Sequence, residues 1–96
     1  MSLNRYATRK DANQPEIIEA LRDIGATVFV LDAPCDLLVG YRRVNYLIEV
    51  KDGNLPPSER KLTDQQQIFR DNWRGQFAIA TCVGDALQIV TGEALY

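Results

Sequence analysis

Apolar and polar positions along this chain follow two periods, one helical and one of strands. Between residues 15 and 24, Ile17, Leu21 and Ile24 recur at i, i+4 and i+7, and Ile18 widens the stripe. This is the signature of an amphipathic helix, and Gly25 stands where such a helix would stop. Residues 27–31 are β-branched and aromatic and predict a first strand. After Asp32-Ala33-Pro34, residues 35–40 predict a second short strand, residues 41–43 a turn, and residues 44–51 a third strand hairpinned to the second. Residues 52–62, with Gly53, Pro56 and Pro57, predict an irregular exposed connection. Thr63 opens a second helix over residues 64–74, with Phe69 and Trp73 as its inward stripe, Ile68 beside them and Gly75 as its stop. Residues 77–82 have the composition of a strand covered on both faces. Residues 84–90 predict a closing helix with Ala86, Leu87 and Val90 turned inward. The order is αβββαβα. Strand, helix and strand in succession imply a right-handed crossover and a parallel last pair, so the expected fold is α/β with a mixed central sheet flanked by helices.

A length of 96 residues supports one domain spanning residues 1–96, its first twelve residues forming a basic arm. With 46% hydrophobic and 25% charged residues the chain has the make-up of an ordinary soluble domain. The lack of any histidine changes the picture most. It excludes Ser-His-Asp and Cys-His nucleophiles, His-ligated zinc and imidazole bases built from this chain alone. Cys35 and Cys82 form no C-x-x-C and lie in apolar stretches, where buried, reduced thiols are expected. Arg5, Arg9 and Lys10 precede no apolar run, so no signal peptide is read there, and no stretch is long enough to span a bilayer. The expectation is a cytoplasmic protein.

Chemistry without histidine falls to carboxylates, lysine and hard metal ions. Along a strand, residues i and i+2 share a face, so Glu49 and Lys51 project together while Ile48 and Val50 enter the core. Hairpin pairing brings Asp36, at the start of the neighbouring strand, towards Glu49. Two carboxylates and the Val50 carbonyl make a hard-oxygen site suited to Mg²⁺ or Mn²⁺, and a lysine beside such an ion can orient water and stabilise negative charge on a phosphorane. The plainer reading is a solvated ion pair on a sheet edge, worth at most about 1 kcal/mol, with Asp36 merely starting a strand. Glu16 stands three residues after Asn13 and Gln66 three after Thr63, both in capping-box spacing. Gln66 also precedes Phe69 and Trp73 on the inward stripe, where an amide needs polar partners.

Taken together, these blocks resemble the PD-(D/E)XK nuclease superfamily, and within it the small stand-alone VRR-Nuc proteins of phage and bacteria. The likeness runs from Arg9 to Val90. Residues 13–18 resemble the family's leading helix with its acidic residue, residues 36–40 its aspartate and apolar strand, residues 47–53 its E-x-K core, and residues 61–66 its glutamine-bearing helix, with Phe69 and Trp73-Arg74-Gly75 following in order. The chain departs from the pattern in having Cys35 before the aspartate, with the proline one place earlier at Pro34. Three consecutive glutamines also leave Gln66 or, alternatively, Gln67 at the motif position. The resemblance implies that Asp36 and Glu49 bind a divalent metal, that Glu16 completes the acidic cluster, that Lys51 positions the hydrolytic water, and that Gln66 supports Lys51 or the scissile phosphate.

The net charge of −2 sits oddly with a nucleic-acid enzyme, but without Asp36, Glu49 and Glu16 ten acids face eleven bases. Those bases cluster at Arg5, Arg9 and Lys10, at Arg42 and Arg43, and at Arg60 and Lys61, where they can either grip phosphates or simply solvate the surface. There is no recognition-helix signature or interleaved aromatic platform, which favours readout of DNA shape. The resemblance extends to Holliday-junction resolvases and implies a homodimer whose two sites make paired nicks in branched DNA. The competing expectation is a non-catalytic DNA-binding or dimerisation module that retains the nuclease fold.

Overall fold

The computed structural model of the chain, described over residues 11–93, resolves these patterns into one sheet and three helices. In chain order these are α1 (Gln14–Asp23), β1 (Thr27–Val30), β2 (Leu37–Tyr41), β3 (Val44–Val50), α2 (Asp64–Asn72), β4 (Phe77–Ala80) and α3 (Val83–Thr91). The connection before α2 contains a single 3₁₀ turn, Pro57–Glu59. The predicted αβββαβα order holds throughout. Of the expected basic arm, only Asp11 and Ala12 fall among the described residues.

The sheet order is β1-β2-β3-β4; β1, β2 and β3 run antiparallel in sequence, and β4 lies parallel to β3. A parallel pair needs a crossover connection, and α2 between β3 and β4 supplies it. Tyr41 pairs with Val44, leaving a two-residue turn in which Arg42 and Arg43 both have positive φ, 52° and 69°. Two residues of that hand match the twist of the flanking strands.

The register puts Val28, Leu37, Val39, Ile48, Val50 and Ala80 on one face, where they close the core with Ile17 and Leu21 of α1 and Ala86 and Val90 of α3. The Tyr46 hydroxyl donates to the Val90 carbonyl at 3.4 Å and ties α3 to the sheet. At the open edge of β1, Arg22 donates to the Val28 carbonyl at 3.0 Å. Among the described residues no helix is long and apolar enough to cross a membrane.

The opposite face departs from expectation. Phe29, Leu38, Leu47 and Phe77 line up across all four strands, yet α2, which meets this face through Phe69 on Phe77 and Gln66 on Glu49, has no buried residue and leaves Phe29 exposed. Ile68 is 62% exposed, and Trp73 ends the helix in extended conformation rather than continuing its stripe. β4 is consequently not buried on both faces: Ile79 is exposed, because β4 is an edge strand and α2 is short. Cys35 is buried as expected, whereas Cys82 is exposed at the start of α3, where its sulfur accepts from the Asp85 amide.

Candidate active site

Asp36 lies one step beyond the last paired residues of the β2–β3 hairpin, opposite Glu49. Its Oδ2 accepts from the Val50 amide at 2.8 Å, which fixes the carboxylate against the backbone of β3. Glu49 and Lys51 share a face as their spacing requires, with Lys51 Nζ 3.4 Å from Glu49 Oε2. They are not a solvated pair, since Glu49 is only 3% exposed. The expectation that only Ile48 and Val50 would be enclosed is corrected here, because α2 also covers Glu49.

Gln66 provides that cover and fills both roles open to it. Thr63 Oγ1 accepts from the Gln66 amide at 3.2 Å, and Gln66 Oε1 accepts from the Thr63 amide at 2.9 Å, completing a capping box. The same Oε1 accepts from Lys51 Nζ at 3.2 Å, and Nε2 donates to Glu49 Oε2 at 2.8 Å. One amide thus bridges acid and lysine from a position fixed by its own helix cap. Gln67 instead donates to the Leu62 carbonyl and stands outside the cluster.

Burial pushes the Glu49 carboxyl up to about 7, and the Asp36 carboxylate adds to the shift while Lys51 opposes it. The Cys35 thiol is pushed up to about 11, first by burial and then by Glu49, so it stays protonated and unreactive.

Glu16 does not join Asp36 and Glu49. It is exposed on the first turn of α1 and lines a separate recess of about 280 Å³ with Asn13, Asp52 and Asn54. Its expected capping partner is occupied elsewhere. Asn13 makes no side-chain cap bond; its amide donates to the carbonyls of Lys51 at 3.1 Å and Thr81 at 3.0 Å, clamping the ends of β3 and β4. The acid that the N-terminal segment brings near the cluster is Asp11. Burial raises its pKa, Asp36 and Asp52 add to the rise, and Lys51 opposes it. No motif marks Asp11; only its place two residues before Asn13 hints at it.

Asp36 and Glu49 suit a hard cation in one specific respect. Glu49 Oε1 is buried and meets no N–H or hydroxyl donor, while the Glu49 carboxyl lies within hydrogen-bonding reach of Asp36, a costly arrangement for two carboxylates unless they share a proton or a cation. Two carboxylates are enough for Mg²⁺, which keeps several waters. Among the described residues no group of three or more His, Cys, Asp or Glu side chains is arranged to hold an ion, so the three-acid cluster with Glu16 is not formed.

The basic clusters are dispersed. Arg9 and Lys10 lie outside the described residues. Arg42, stacked on Tyr41 with its guanidinium 5.0 Å from the ring centroid, and Arg43 occupy the far end of the hairpin. That end is about 20 Å from Asp36 at some 3.3 Å per strand residue. Arg60 donates to the Leu55 carbonyl at 2.8 Å and braces its own loop. Lys61, exposed just before the α2 cap, is the described cation of these clusters nearest to Gln66 in sequence. Comparison with protein families, curated proteins and solved structures finds no match for this chain.

Proposed function

We propose that this protein is a metal-dependent DNA endonuclease of PD-(D/E)XK type, VRR-Nuc-like, acting on branched DNA such as four-way junctions. The observation that carries the reading is the buried Glu49 carboxyl, set against Asp36 with no N–H or hydroxyl donor on its Oε1 and held on its other oxygen by Lys51 and Gln66. Asp36 and Glu49 would hold Mg²⁺ or Mn²⁺, with the Val50 carbonyl as the expected further ligand. When bound, such an ion supplies Lewis-acid activation of water and of the phosphoryl oxygen. Lys51 donates to the attacking water and to the oxygens that gain charge as the phosphorus–oxygen bond breaks. Gln66 keeps the ammonium in place, and the Glu49 pKa near 7 lets that carboxyl exchange a proton for a cation at neutral pH.

The test is a panel of labelled duplex, flap, single-stranded and four-way-junction DNA with and without Mn²⁺. Lys51→Ala should lose at least about a hundredfold in rate, the scale for removing one charge-stabilising donor. Equal metal-dependent cleavage by wild type and variant overturns the mechanism. Paired nicking further requires a homodimer, and a monomer by light scattering at micromolar concentration removes that part. The rival, a non-catalytic DNA-binding module, draws on the Lys51–Glu49 pair already neutralising itself and on the finding that, among the described residues, no three acids are arranged to hold an ion. Binding without cleavage across the panel would establish it.

A further inference from the structure

Next to the carboxylate cluster, the β1–β2 connection and the first turns of α2 enclose a recess of about 320 Å³, the small end of the range for ligand clefts. Pro34 and Phe69 form its walls, and Asp32, Thr63, Gln65 and Gln66 its polar rim. Gln66 is shared with the cluster, so the recess opens one side chain away from Lys51 and Glu49.

Phe69 cannot collapse inward to fill the space. Its ring stacks on Trp73, with centroids 5.3 Å apart and planes 25° from parallel, and meets Phe77 edge-on at 5.4 Å. Pro34 is exposed, so it serves as a wall without belonging to the core. The rim is unequal. The Gln66 amide is spent on Glu49, Lys51 and Thr63, and the Thr63 hydroxyl on the Gln66 amide. Asp32 and Gln65 are exposed and hold no side-chain hydrogen bond among the described residues.

We propose that this recess receives one unpaired nucleobase of the strand being cut, packed against Phe69 and Pro34, with its polar edge met by Asp32 and Gln65. The inference rests on the nuclease reading and names the feature of the substrate that the site selects. An aromatic wall holds any base by its π face. A carboxylate accepts from exocyclic amines, and a glutamine amide both donates and accepts. Lys61, exposed two residues before Thr63, stands ready for a flanking phosphate. A base in intact duplex must first leave its stack to enter, so the recess favours branch points, flaps and mismatches.

The experiment compares a junction carrying an unpaired base at the branch with the same DNA bearing an abasic nucleotide there. Binding is followed by fluorescence anisotropy in Ca²⁺, and cleavage of both DNAs in Mn²⁺. Wild type should bind the abasic DNA roughly tenfold more weakly, on the scale of one lost base–aromatic stack. That factor should shrink towards one in Phe69→Ala. Because Phe69 also packs on Trp73 and Phe77, a double variant of the exposed rim, Asp32→Ala with Gln65→Ala, repeats the test without touching that cluster and should also shrink it. Equal wild-type affinity for the two DNAs, or an undiminished factor in the double variant, overturns the proposal. Base-dependent binding without cleavage sustains the recess and sinks the nuclease reading, while cleavage with base-independent binding does the reverse. No binding to either DNA overturns both.

Discussion

Replacing Glu49 by glutamine isolates the electrostatic cost built into the cluster. The folded-state pKa of Glu49 lies near 7 against an ordinary 4.5. Because the folded value is the higher one, the stabilisation is fully present below pH 4.5 and is lost as the pH rises through 7. At about 1.4 kcal/mol per unit the difference amounts to about 3 kcal/mol, or on the order of 10–20 °C in Tm for a domain this size. Glu49→Gln keeps the shape and an oxygen for Gln66 Nε2 but has no proton to lose. Wild type should therefore fall in Tm relative to the variant between pH 5 and pH 8, and be the less stable protein at pH 8. Asp11, whose pKa is also raised, is common to both proteins and cancels in the comparison. Millimolar Mn²⁺ at pH 8 should restore wild type and leave the variant unmoved, since the cation takes the place of the proton. Thermal unfolding followed by circular dichroism across this range decides it. A wild type that gains stability over the variant as the pH rises would show that Lys51 outweighs burial and refute the reasoning.

Other expectations rest on packing and hydrogen bonding. Asn13→Ala removes both amide donors, leaving the Lys51 carbonyl without this bond while that of Thr81 keeps the Gly53 amide, which should cost about 1–3 kcal/mol in a denaturant titration; Asn13→Asp, which sets a carboxylate against those carbonyls, should cost more. Leu37→Ala, in a fully buried position on β2, should cost about 2–5 kcal/mol. Ile68→Ala on the exposed side of α2 should stay within about 0.5 kcal/mol, and a larger loss there would mean that α2 is covered in solution.

Much of this protein is determined locally. Apolar spacing of 3.6 and 2 sets helices and strands within a few residues, so the order αβββαβα and the mixed sheet were legible in the chain. The hairpin and the strand period together place Asp36, Glu49 and Lys51 side by side, because both are short-range geometry. What the tertiary structure alone decided is which surfaces are covered. A short α2 buries Glu49 and leaves Ile68 and Ile79 in water, although the composition of β4 suggested cover on both faces. Capping-box spacing is identical at Asn13 and Thr63, yet only Thr63 caps, because Asn13 finds two carbonyls 38 and 68 residues away. The same docking leaves Glu16 at its own recess and brings Asp11 towards Asp36. Side-chain burial and long-range hydrogen bonds depend on elements distant in sequence, so periodicity carries no record of them.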